Sequence, residues 1–88
     1  MPTILVIDDN PAIATALDVL FSLHDIHTLG AASPEAGLAL LEQAPVDLVI
    51  QDMNFVADTT SGDEGVALFH HIRARHPDLP VILLTAWT

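Results

Sequence analysis

The chain contains no cysteine, which excludes disulfides and thiolate metal sites. Lysine is absent too, and only Arg73 and Arg75 stand against twelve acids, for a formal net charge of −10. Phosphate neutralisation needs a basic patch, so this segment makes no direct contact with nucleic acid. No apolar run approaches the roughly 20 residues of a membrane span, and no basic segment precedes a cleavable apolar one. A cytoplasmic chain with no membrane contact is the default expectation. At 88 residues there is room for one small domain with one core.

What is present is Ile, Leu, Val and Ala, in a chain that is 51% hydrophobic with few aromatics. That suits an α/β protein whose sheet is covered on both faces. Residues 3–8 read as a buried strand, a β-branched run without alternation. Asn10-Pro11 is an N-cap followed by a first-turn proline. Ile13, Leu17, Leu20 and Phe21 follow at helical spacing to about Leu23. Residues 26–31 form a weaker strand. Ser33-Pro34 repeats the cap signal, with Ala36, Leu40 and Leu41 as an apolar face before Pro45. Asp47 to Gln51 is a third strand, and 52–62 is a polar loop. Ser61 and Glu64 have capping-box spacing, so a helix begins just after Ser61, with Val66, Phe69 and Ile72 inward and its end at His76-Pro77. Pro80 leads into a fourth strand ending at Leu84. Strands alternating with helices imply right-handed crossovers and a parallel sheet.

Asp8 and Asp9 close the first strand, Asp52 the third, and Thr85 the fourth. In a parallel sheet those ends share an edge, so the polar groups converge on one crevice. Such a crevice is suited to a divalent metal beside a phosphorylatable aspartate.

Asp8-Asp9, Asp52 and Thr85-Ala86, in this order and on these elements, resemble the receiver domain of bacterial response regulators in two-component systems. The resemblance implies a flavodoxin-like, doubly wound α/β fold with strand order 2-1-3-4. It covers all 88 residues as a single, C-terminally incomplete domain that lacks the last helix–strand–helix segment. It also implies a site in which Asp9 and Asp52 ligate Mg²⁺ directly, Asp8 through water, and Asn54 by its backbone carbonyl. Asp52 is then the phosphoacceptor, served by a histidine kinase or phosphotransfer protein. Thr85 is the switch hydroxyl, helped by the Ala86 amide. An effector domain, most naturally a transcription regulator, would follow in a longer chain. Phosphorylation and dephosphorylation would be self-catalysed at most, so the segment is not an enzyme in the ordinary sense.

The departures are specific. Receivers supply a lysine from a fifth strand, and this chain has none. Many have a proline four residues and a glycine eight residues after the acceptor aspartate, where Val56 and Thr60 stand here. Residues 54–62 look like an insertion, similar to the loop of receivers fused to an ATPase and a DNA-binding module. These departures keep open an inactive receiver that acts only as an interaction surface. A haloacid-dehalogenase-type phosphohydrolase also uses a strand-end aspartate and Mg²⁺, but its nucleophile follows the first strand with a second acid two residues on. Asp8-Asp9-Asn10 offers no such acid. The exposed edge of the fourth strand invites pairing between two copies. His24, His27, His70, His71 and His76 lack the one-turn spacing of a helical metal site.

Overall fold

The computed structural model describes residues 1–53 and 63–84. The elements run β1 (Thr3–Ile7), α1 (Pro11–Ser22), β2 (His27–Ala31), α2 (Pro34–Gln43), β3 (Leu48–Asp52), α3 (Asp63–Arg75) and β4 (Val81–Leu84). All pairings are parallel and the sheet order is β2-β1-β3-β4. This is the flavodoxin-like topology expected from the sequence, with boundaries displaced by a residue or two.

The caps behave as their chemistry requires. The Asn10 side chain accepts from the Ala12 amide at 3.0 Å, and Ser33 Oγ accepts from the Ala36 amide at 3.1 Å. Each satisfies one of the amides that a helix start leaves without an intrahelical partner. Arg73 and Arg75 lie in the last turn of α3, where positive charge suits the helix dipole. Arg73 donates to the Pro77 carbonyl at 2.7 Å, and Arg75 meets Glu42 of α2 at 2.7 Å. The second pair is solvent-exposed and adds little stability. The Ser61 cap lies outside the described residues.

Side-chain alternation along the strands divides the core in two. Leu5, Ile7, Ala31 and Val49 face Leu41 of α2 and Leu68 and Ile72 of α3. Ile4, Val6 and Ile50 face Ala14, Leu17 and Phe21 of α1. Three expected inward positions are corrected. Val66 and Leu20 are exposed, at 44% and 49%, and Ala36 is exposed as well. On α3 the buried line is Gly65, Leu68 and Ile72; on α2 it is Gly37 and Leu41. In both helices a glycine sits at a close approach, Gly37 against Ile7 of β1 and Gly65 against Met53 just after β3. Counting large apolar side chains therefore puts the inward face slightly out of phase.

Leu5 has no solvent exposure, whereas Val19 on α1 is 60% exposed. Leu5→Ala should cost about 2–5 kcal/mol in urea unfolding, and Val19→Ala about 0.5 kcal/mol or less. Equal losses would contradict this division of the core.

Candidate functional site

Register builds the site. Ile7 pairs with Gln51 across β1 and β3, so Asp8 and Asp52 stand level at the C-terminal rim. Asp9 follows as the chain turns into α1. Asp8, Asp9 and Asp52 each offer an oxygen within 4.8 Å of the others. Asp8 is buried, Asp52 half-buried and Asp9 exposed.

The local bonds fix Asp8 firmly. Its amide donates to the Ala31 carbonyl at 3.0 Å, extending the β1–β2 ladder by one residue. Its carboxylate accepts from the Asn10 amide at 2.8 Å, closing the turn that starts α1. Burial raises the Asp8 pKa above its usual value, and the Asn10 bond opposes this by favouring the charged form. The nearby charges of Asp52 and Asp9, with a side-chain hydrogen bond to Asp9, push it further up.

Three oxygens at this spacing fit a small hard cation. Octahedral Mg²⁺ holds its ligands at about 2.0–2.1 Å, so opposite ligands stand about 4.2 Å apart. Adjacent ligands in that shell stand only about 2.9 Å apart, so oxygens spread over as much as 4.8 Å suit direct ligation by some of the acids and ligation through water by another. A cation would also relieve the repulsion that burial of Asp8 aggravates.

Asp52 is held at its backbone on both sides. It pairs with Leu84 of β4, and the next amide, Met53, donates to the Leu84 carbonyl at 3.2 Å. On the other side the Gly65 amide donates to the Met53 carbonyl at 3.1 Å. Gln51, fully buried, donates through Nε2 to the Gly65 carbonyl at 2.8 Å. Neither Gln51 nor Gly65 stood out as a site residue in the sequence. The available signal was an amide inside an apolar strand, directly before Asp52.

Asn54, Thr85 and Ala86, also expected at the site, lie outside the described residues, as does Trp87. His24, His27, His70 and His71 are exposed and His76 is half-buried. The His70 ring lies edge-on to Phe69 at 5.6 Å. A cavity of about 590 Å³ opens at the opposite end of the sheet, between Pro45–Asp47 and His76–Pro80. It is remote from the carboxylates, and none of its lining polar side chains is buried.

A doubly wound parallel sheet with an acidic cluster at the carboxyl ends of its central strands belongs to the α/β domains that bind ligands at a topological switch point. Residues 4–88 match the response regulator receiver domain, and the chain belongs to that family. It is 38% identical over 86 residues to the transcriptional regulatory protein AfsQ1 of Streptomyces coelicolor, covering 98% of this chain and 36% of that protein. To the transcriptional regulatory protein GlrR of Escherichia coli it is 32% identical, covering 94% of this chain but only 18% of the relative. The chain thus spans about a third or less of these relatives. Among solved structures, the response regulator TrrA of Thermotoga maritima, in complex with Mg(2+)-BeF, superposes with a TM-score of 0.85 at 30% identity. That match covers all of this chain and 72% of TrrA. A receiver protein from Pseudomonas putida gives a TM-score of 0.85 at 27% identity, covering 99% and 69%. Receiver domains are signalling modules that interact with histidine kinases and effector domains. Among the described residues no helix is long and apolar enough to cross a membrane.

A raised Asp8 pKa has a definite sign. The folded, metal-free protein holds that proton more tightly than the unfolded chain. The resulting stability is present below the unfolded value of 3.8 and is lost as pH rises through the higher folded value. Asp8→Asn keeps an acceptor for the Asn10 amide and removes the charge. Without metal at neutral pH it should melt above the wild type, and the difference should shrink towards pH 4. A variant that melts lower at neutral pH would contradict the assigned strain.

Proposed function

We propose that this chain is the phosphoacceptor module of a two-component phosphorelay in the cytoplasm. The gathering of Asp8, Asp9 and Asp52 at one rim is the observation that carries the reading. A carboxylate oxygen of Asp52 attacks the phosphorus of a phosphohistidine on a histidine kinase or phosphotransfer protein. The P–N bond breaks, its electron pair returns to the imidazole, and an acyl phosphate forms on Asp52. When bound, Mg²⁺ neutralises charge on the transferring phosphoryl group. Asp9 and Asp52 would hold it directly, Asp8 would do so through a water, and the Asn54 carbonyl would supply a further oxygen. TrrA, solved with Mg(2+)-BeF, supports an acidic metal site in a domain of this fold.

Thr85 and the Ala86 amide then draw towards the new phosphoryl oxygens. The bond from Met53 to Leu84 supports this, because it ties the residue before Thr85 to the residue after Asp52. The resulting shift at the end of β4 biases a two-state change that an effector domain reads. Since relatives such as AfsQ1 and GlrR are transcriptional regulatory proteins, a transcription effector is the natural output.

Acetyl phosphate with Mg²⁺ should add one phosphoryl group, as read by mass spectrometry, and Asp52→Asn should abolish the gain. A gain that survives Asp52→Asn, or no gain in the wild type, would reject the phosphoacceptor role and leave the interaction-surface reading.

The same reading includes self-association through β4. This strand pairs only with β3 among the described residues, and its Ile82 and Leu83 are 48% and 41% exposed. Antiparallel pairing of two β4 edges about a two-fold axis would satisfy both. It would also place the two acidic rims at opposite ends of the joined sheet. Light scattering should report a dimer at high concentration, and a persistent monomer would exclude this contact.

A further inference from the structure

Gln51 is fully buried, one residue before Asp52, on the face of the sheet covered by α2 and α3. Its Nε2 donates to two carbonyls, that of Gly65 in the first turn of α3 at 2.8 Å and that of Asp52 at 3.3 Å. One amide group therefore bridges the backbone of the acceptor residue to the start of the next helix. The Gly65 amide closes the junction from the other side by donating to the Met53 carbonyl at 3.1 Å. The fit leaves no slack: a Cβ added at Gly65 would stand 2.5 Å from the Met53 carbonyl oxygen.

Packing alone does not account for an amide here. Gln51 Oε1 is buried and has no hydrogen-bond partner among the described residues, which is unfavourable. An aliphatic side chain of the same length would fill the space without that cost. What the amide alone supplies is the pair of donated bonds.

We propose that Gln51 is a positioning residue: it staples α3 to the end of β3 and so holds the Asp52 carboxylate in register with Asp8 and Asp9. Reacting groups displaced by about 1 Å lose rate steeply, so a backbone staple beside the acceptor has leverage over the transfer. The proposal rests on the phosphoacceptor reading, and the experiment separates the two.

The test compares the full wild-type chain with Gln51→Met, which keeps the bulk and removes the donor. Val49→Ala, in the same core but away from α3's first turn, serves as a packing control. With Mg²⁺ and acetyl phosphate saturating, Gln51→Met should stay folded yet phosphorylate on the order of tenfold more slowly. Its Gly65 amide should exchange hydrogen faster than in the wild type. Val49→Ala should melt lower while its folded fraction phosphorylates at the wild-type rate. A wild-type rate in Gln51→Met, or an equal slowing in Val49→Ala, would overturn the proposal. If the wild type accepts no phosphoryl group, the phosphoacceptor reading fails, and Mg²⁺ affinity by calorimetry decides the staple. Weaker binding in Gln51→Met than in Val49→Ala supports it, and equal binding overturns it. Should Gln51→Met not fold, the side-chain amide protons of Gln51 in the wild type decide. Slow exchange supports the two donated bonds, and exchange at the rate of a solvated amide overturns them.

Discussion

The parallel pairing of β1 with β3 is the constraint on which everything else rests. Leu5, Val6, Ile7 and Val49 have no solvent exposure, and each such side chain contributes about 1.5–3 kcal/mol by burial. Two like charges about 5 Å apart repel by roughly 3 kcal/mol at an effective dielectric near 20. The buried strands therefore outweigh the electrostatic cost of bringing Asp8 and Asp52 side by side. A slip of one residue in this pairing would turn β3's apolar side chains over and separate the two carboxylates. Stability and site geometry are thus set by one register.

The same economy shows in the connections around the rim. Asp8 caps the turn into α1 through Asn10, so the acid that strains the fold also shapes its first crossover. Met53 links three elements, with its amide turned to β4 and its carbonyl to α3. A chemical change at Asp52 therefore meets two neighbours at once through a single residue, Met53. The core beneath is nearly incompressible, so displacement has its easiest path along the rim.

Much of this was legible from residue order. The strands announced themselves as β-branched runs, the helices by Asn10-Pro11 and Ser33-Pro34, and the carboxylates by ending those runs. Phase was harder. Gly37 and Gly65 carry no hydrophobic signal, yet they occupy the closest approaches, where Ile7 and Met53 leave no room for a Cβ. Val66 and Ala36 accordingly look inward by sequence and are not, while on α1, which has no glycine, Leu17 and Phe21 take the inward side and leave Leu20 exposed. The amide of Gln51 stands out in an apolar strand, but its role does not, because its partners are backbone carbonyls, one of them fourteen residues along the chain, and neither leaves a side-chain signature. Asn54, Thr85 and Ala86 rest on the family pattern, since they fall outside the described residues.

The contact between the Met53 carbonyl and the Gly65 amide has one more consequence. Met53 and Gly65 stand twelve positions apart in the chain, so this bond closes the peptide that joins them into a ring. Lengthening such a ring is cheap, about 0.6 kcal/mol for each doubling. This junction is therefore a natural splice point, where foreign peptide could be grafted beside the acidic rim while the underlying scaffold keeps its shape.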